Sequence, residues 1–279
     1  MSQAERAPAG SSNRMTIAAT RGSRAASRAV EYLARRLSGL IGLVIVWQLA
    51  TSLLEIPPYL LPQPIMLVQG LVENWAKLFP ALRTLLIEAL GGFILGNTTG
   101  IVLAFLVNRS PTLKGAFLPI ALAIRSIPIV AITPVITLIL GFGYATTVTV
   151  AGLICFFPTF VNVSRGLQSA HPQALQFFRL LDSSEWNTFW KLRLPSALPF
   201  LFAALRVTAP ASIIGAMVAE FIASDAGLGF FILLSYSSYR FDLMWQAIIL
   251  TTACSVAVFT LVAWLERVLI SWHHAEQTR

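Results

Sequence analysis

His171–Pro199 reads HPQALQFFRLLDSSEWNTFWKLRLPSALP, a polar and charged interruption between apolar runs in the second half of the chain. Pro172 is tolerated in the first turn of a helix, so PQALQFFRLL is expected to be helical. Asp182, with Glu185 three residues on, reads as the N-cap of a second helix. In that helix Trp186, Phe189, Trp190 and Leu194 recur at i, i+3, i+4 and i+8 and make one apolar face, and Pro195 is expected to end it. Two short amphipathic helices with exposed aromatics suit a groove in a partner protein. They suit equally a position flat on a lipid surface.

The rest of the chain supplies the lipid. Of its 279 residues 56% are hydrophobic and only 11% charged, whereas about a quarter of a soluble domain is charged. The apolar residues gather into runs long enough to cross a bilayer, about 20 residues each. Six spans are expected, over 37–54, 84–107, 115–140, 146–163, 198–222 and 244–268. The net charge of +8 is no sign of nucleic acid, because much of it lies in one N-terminal segment. With the N-terminus inside, the cytoplasmic side receives Arg6, Arg14, Arg21, Arg24, Arg28, Arg35 and Arg36, Arg109 and Lys114, Arg165, Arg179, Lys191 and Arg193, and Arg267 and Arg279. The outer side receives only Lys77, Arg83 and Arg240. The positive-inside rule therefore puts both termini and the 171–199 loop in the cytoplasm.

Residues 1–30, rich in Ser, Ala and Arg, read as a disordered basic tail ahead of a membrane domain over 31–279. An organellar transit peptide shares that composition, and Met15 offers a second start besides Met1. Val30, Leu33, Ala34, Leu37 and Ile41 fall at helical spacing as a short lead-in. IPPYLLPQP at 56–64 forbids a continuous helix, and a short amphipathic helix at 65–79 with Trp75 and Phe79 suits the outer interface.

The third span carries Pro128 and Pro134 and must bend or break. A broken helix near the midplane is one way to build a translocation path; an ordinary proline kink is the other reading. Pro158 and Pro210 repeat the theme in the next two spans. Arg125 and Arg206 fall inside spans, where a charge costs on the order of 3 kcal/mol. They either snorkel to the cytoplasmic headgroups or give an inward cavity a positive potential. Glu220, near the outer end of the fifth span, is a gate residue, a partner for another charge, or an interfacial acid. Gly227 and Gly229 break the chain after it, and FFILL is too short to cross, so a re-entrant or surface-lying helix is expected at the outer mouth.

Several functions are excluded. There is no GxxxxGK[ST] phosphate loop. His171, His273 and His274 all lie in polar segments, which leaves no intramembrane Ser–His site or His-ligated metal. Cys155 and Cys254 sit in apolar runs and read as core residues. No catalytic residue, metal site or cofactor is expected in this chain.

The loop resembles the EAA loop of binding-protein-dependent ABC importer permeases, whose pattern is EAA, three residues, Gly, nine residues, Ile-x-Leu-Pro. Here the frame is Gln176-Phe177-Phe178, then Asp182, then Leu192-Arg193-Leu194-Pro195, with every spacing kept. The resemblance covers roughly residues 37–270. It takes in LPQP at 61–64, SIPIVAITP at 126–134, GFG at 141–143, FFPTFVNVSRGL at 156–167 and LPSALPFLFAALR at 194–206. Together these are similar to permeases for nitrate, sulfonate and taurine, a subfamily that also holds pyrimidine-precursor and riboflavin importers.

The resemblance implies an all-α, six-span, type I importer permease in the bacterial inner membrane. It implies a homodimer that docks two copies of an ATPase, on which ATP and Mg reside, and receives solute from a periplasmic or lipid-anchored binding protein. Gln176, Phe177, Phe178, Asp182, Ser183, Glu185, Trp186, Phe189, Trp190 and Pro195 would then couple to the ATPase. Arg125, Pro128, Pro134, Arg206 and Glu220 would line the path. The solute is expected to be a small organic or inorganic anion, or alternatively a pyrimidine or thiamine precursor or a riboflavin-like molecule. Phe177 and Phe178 stand where the pattern has a small pair, which implies a reshaped partner groove. Asp182 stands for Gly, and Asp tolerates positive φ better than most residues. A rival reading is a stand-alone secondary transporter, which would want buried acids; only Glu88 and Glu220 qualify.

Overall fold

Long apolar runs dictate helices, because a bilayer holds no water to satisfy free backbone groups. The computed structural model describes residues 38–39 and 41–270, without the side chains at 111, 114, 118, 124 and 125. Every regular element among the described residues is a helix. The tail expected over 1–30, most of the lead-in, and 271–279 lie outside the described residues.

A first unit ends at Met66 and a second begins at Leu67. In the first, helix α1 covers Ile41–Leu53. The proline segment after it is irregular, and Gln48 ties to its far end. Gln48 Nε2 donates to Gln63 Oε1 at 3.1 Å, and Gln48 Oε1 accepts from the Ile65 amide at 3.4 Å.

Helix α2 (Pro64–Glu73) begins on a proline, whose missing N–H matters least there. It stops well short of the expected 79. Asn74 interrupts the chain, its Nδ2 donating to the Gly70 carbonyl at 3.0 Å and to Gln246 Oε1 at 3.2 Å. Helix α3 (Trp75–Val107) starts at once, where a loop was expected to run to 83. Pro80 lies in its second turn and removes only the bond to the Ala76 carbonyl, so the helix carries through.

The expected single span over 115–140 is two helices, α4 (Pro111–Ser126) and α5 (Ile129–Leu140). Pro128 takes φ −60°, ψ 122°, and its carbonyl accepts from the Ala131 and Ile132 amides at 2.9 and 3.2 Å. It starts a new helix instead of kinking an old one. Pro134 sits inside α5 without breaking it. The GFG turn, with Gly141 at φ 82° and Gly143 at φ 96°, reverses the chain into α6 (Tyr144–Gly166).

After α7 (Pro172–Leu180) and α8 (Glu185–Thr188) come α9 (Leu194–Ala223), α10 (Gly227–Ser237) and α11 (Phe241–Leu269). Among the described residues four helical stretches are long and apolar enough to cross a membrane: α3, α6, the run Glu185–Ala223, and α11. The other two expected spans fall on the shorter α1 and on the broken pair α4 and α5.

Helices α3, α6 and α9 form the centre of the second unit. Gly92, Gly96 and Gly100 repeat every four residues and put a backbone-smooth stripe of α3 against α6. A Cβ at Gly96 would meet Cys155 Cβ at 2.7 Å, and one at Gly100 the Phe156 carbonyl at 2.9 Å. Small residues at this spacing let membrane helices approach closely. A polar clasp crosses the same contact. Asn97 Oδ1 on α3 accepts from Thr159 on α6 at 2.6 Å and from Thr208 on α9 at 3.1 Å, with all three side chains buried.

Candidate functional site

The loop folds as two helices joined by a tight turn. His171 is extended, Pro172 opens α7, and α7 has no buried residue. Its C-terminal end is a Schellman motif. The Ser183 amide donates to the Phe178 carbonyl and the Asp182 amide to the Arg179 carbonyl, both at 3.1 Å. The motif needs a left-handed residue just past the helix end, and Asp182 supplies it at φ 51°. Asp182 therefore performs the backbone task that glycine performs most cheaply.

That commitment corrects the expected cap. An N-cap residue needs extended backbone angles, which Asp182 does not have. Ser184, at φ −59° and ψ 152°, is the N-cap, and its hydroxyl accepts from the Asn187 amide at 3.3 Å. Glu185 is the first helical residue instead of the third.

Pro195 does not end the second helix. Four α-helical residues pass into a π-helical turn, Phe189–Arg193, and then directly into α9. In that turn the Leu194 amide donates to the Phe189 carbonyl, five residues back. A proline in an α-helix clashes with the carbonyl four residues before it. The wider turn takes up that conflict, so the run from Glu185 to Ala223 is continuous over 39 residues.

The aromatic face divides by role. Phe189 turns inward, its ring 5.5 Å from Phe105 of α3 in edge contact. Trp186 and Trp190 pack on each other at 5.4 Å and stay 63% and 49% exposed. On α7, Gln176 and Phe177 are exposed and Phe178 is half-buried. Ser183 is half-buried inside the turn. A cavity of about 590 Å³ opens behind α8, against Asn108 and Arg109 at the end of α3 and Gln168 after α6. Gln168 donates to Asn108 there.

A second cavity, of about 730 Å³, lies where α4 breaks into α5. Ile127 and Ile129 line it on either side of Pro128, and Pro158, Asn162 and Arg165 line it from α6. Arg125 lies on α4, with its side chain outside the described residues. Arg206 is ion-paired to Glu266 on α11. Its side chain is 38% exposed and its partner's 14%.

Glu220 is fully buried and is not an interfacial acid. Its Oε2 accepts from the Gly229 amide at 2.6 Å, which pins the start of α10 to the last turn of α9. Gly227 and Gly229 lie directly against that carboxyl, and Gly227 takes φ 89°. Glu88 of α3 is also buried and interacts with Glu220. Among the described residues no three His, Cys, Asp or Glu side chains come together as metal ligands.

Four features escaped the sequence reading: Ser184, the Asn97–Thr159–Thr208 clasp, the Gly92–Gly96–Gly100 stripe, and Asn162 with Arg165 on the cavity. Only the glycine stripe carries a signal legible without the fold.

Residues 96–271 match the family model described as binding-protein-dependent transport system inner membrane component. The chain is similar to the riboflavin transport permease RibX of Chloroflexus aurantiacus, 31% identical over 235 residues, covering 82% of this chain and 87% of the relative. It is similar to the formylaminopyrimidine transport permease ThiX of Halalkalibacterium halodurans at 30% over 234 residues, covering 82% and 92%. The taurine permease TauC of Escherichia coli is 25% identical over 242 residues, covering 83% and 86%. Among solved structures, an amino acid ABC transporter crystallised with histidines shares the fold at a TM-score of 0.61 and 15% identity, over 71% of this chain and 97% of that one.

Proposed function

The chain belongs to the binding-protein-dependent transport system inner membrane components, and from that premise we propose that it forms the solute path of an importer and couples it to a separate ATPase through the 171–199 loop. It is an ABC importer permease, a multi-pass protein of the bacterial inner membrane, and its family is not itself catalytic. ATP and Mg belong to the partner ATPase, of which two copies dock on a homodimer of this chain. A periplasmic or lipid-anchored binding protein delivers solute on the other face. Both termini and the loop are cytoplasmic.

The observation that carries the coupling role is the loop's geometry. A left-handed turn at Asp182 separates two helices, and Trp186 and Trp190 stay exposed at the end of a continuous 39-residue helix. Exposed aromatics on a short helix fit a groove in a partner. Gln176, Phe177 and Phe178 form the other half of the contact; Ser183, Glu185, Phe189 and Pro195 shape it. The broken helix at Pro128, with Pro134 beyond it, Arg125 before it and the cavity beside it, supports the path. Arg206 and Glu220 belong to that path through the helices they hold in place.

The solute is a small anion such as a sulfonate, taurine or nitrate. A second reading, a pyrimidine precursor or a riboflavin-like molecule, draws support from the two relatives at 30% and 31% identity. The test of coupling is the double substitution Trp186→Ala/Trp190→Ala in cells that carry the partner ATPase. The variant is expected to insert and fold but to lose co-purification of the ATPase. Undiminished co-purification refutes the coupling role.

A further inference from the structure

Arg206, which the sequence puts inside a span, is not among the residues that line the cavity at the α4–α5 break. Arg206 is neutralised by Glu266 on the far helix α11. Arg165, in the last turn of α6, lines the cavity and has no ion-pair partner among the described residues. Asn162, one turn earlier, lines the same wall; its Nδ2 donates to the Pro158 carbonyl at 2.8 Å, which leaves its side-chain oxygen toward other donors. Nearly every other lining group is apolar, including Ile127, Ile129 and Phe157. Arg165 is itself exposed, so the apolar walls beside it focus its field toward the cavity without removing it from water. Among the described residues no acid lines the cavity to oppose it.

We infer that Arg165 sets the charge preference of this cavity, drawing anions to its α6 end and disfavouring cations, with Asn162 as the adjoining polar contact. This rests on the cavity being part of the solute path, and it makes Arg165 a specificity-determining residue at the inner end. An anionic head with a small apolar body matches what the walls offer. A neutral heterocycle gains nothing from Arg165.

The test needs no knowledge of the solute. Cysteine is placed at Ile127 and, separately, at Asn162 in a Cys254→Ala background; Cys155 is fully buried and serves as the unreactive native thiol. The full chain, with its partner ATPase, is labelled with sulfonatoethyl and with trimethylammonioethyl methanethiosulfonate. The ratio of anionic to cationic labelling rates is expected to exceed that at an exposed control, Thr112→Cys, by about tenfold, which a unit charge at ~8 Å gives at an effective dielectric of about 60, because attraction of one reagent and repulsion of the other both enter the ratio. Arg165→Gln should return the ratio to the control value, and Arg165→Lys should keep it. A ratio unmoved by Arg165→Gln, or no labelling at either position, overturns the inference. Trapping with ATP and vanadate separates the two levels. If the charge preference depends on Arg165 but labelling is indifferent to trapping, Arg165 acts as inferred and the assignment of this cavity to the path fails.

Discussion

Gly96→Ala decides whether the three-helix centre is packed as described. A Cβ at Gly96 would meet Cys155 Cβ at 2.7 Å and run into the Gly152 carbonyl, and both belong to the rigid part of α6. Alanine is favoured over glycine within a helix by about 1 kcal/mol, so propensity alone predicts stabilisation. Overpacking of a fitted contact costs typically 1–3 kcal/mol. The added methyl also separates α3 from α6 beside the Asn97–Thr159 bond of 2.6 Å, and interhelical bonds of this kind contribute about 0.6 kcal/mol each. Packing wins, and the net effect is a loss of roughly 0.5–2.5 kcal/mol. The matched control is Gly115→Ala on α4, where a Cβ meets nothing within 4 Å and the propensity gain stands alone. The assay is the apparent melting midpoint of detergent-solubilised protein at a fixed scan rate. Gly96→Ala should melt about 1–10 °C below wild type, on a scale of about 2–4 °C per kcal/mol for a domain of this size. Gly115→Ala should melt at or slightly above it. If Gly96→Ala matches or exceeds wild type while the control behaves as expected, α3 and α6 are not in backbone contact.

The Arg206–Glu266 pair predicts non-additive effects. Glu266→Leu leaves an unpaired cation near the membrane and should destabilise by about 2–3 kcal/mol, whereas Arg206→Leu/Glu266→Leu should recover most of that loss; additive effects in an unfolding titration would mean that the pair is not formed. The turn predicts opposite results at neighbouring residues. Asp182→Gly should be neutral, while Asp182→Val forces a β-branched residue to positive φ and Ser184→Ala removes a cap contributing about 1 kcal/mol. Limited proteolysis of the loop should therefore be faster in the last two, and equal cleavage in all three would contradict the left-handed turn.

How far the sequence was legible depends on how local each cause is. Positive φ at Asp182 was readable because one residue occupies the place of a glycine in a fixed frame. The cap was misassigned because Asp182 is chemically suited to both tasks, and only the backbone shows which one it performs. Proline was legible as a perturbation, with its outcome set elsewhere. Pro128 caps the start of a new helix, Pro80 and Pro134 are absorbed, and Pro195 is bridged by a π-helical turn. The stripe of Gly92, Gly96 and Gly100 was visible in the sequence and went unread. Arg206 and Glu266 are 60 residues apart, so no local pattern announces their pairing. The clasp of Asn97, Thr159 and Thr208 joins three helices and is likewise a product of the fold alone.

The continuity across Pro195 has the largest mechanical consequence. A helix that ended there would make the docking segment a hinged flap, and a push on Trp186 would be taken up by the hinge. As built, Trp186 stands at the end of a rod of 39 residues, about 58 Å at 1.5 Å per residue. Glu220 lies in the last turn of the same rod and holds the Gly229 amide. On the proposed reading, a displacement of the coupling end moves α9 and carries α10 with it at the outer end. Along the rod Thr208 is bonded to Asn97 of α3 and Arg206 is paired with Glu266 of α11, so α9 moves with its neighbours or breaks those bonds. The π-helical turn lies between the proposed docking surface and the bundle, and Phe189, at its start, is packed against Phe105. The turn is thus braced from the side, and the remaining backbone hydrogen bonds missing along the rod are those at Pro199 and Pro210 inside α9. This is the arrangement expected of a part that transmits force rather than absorbing it.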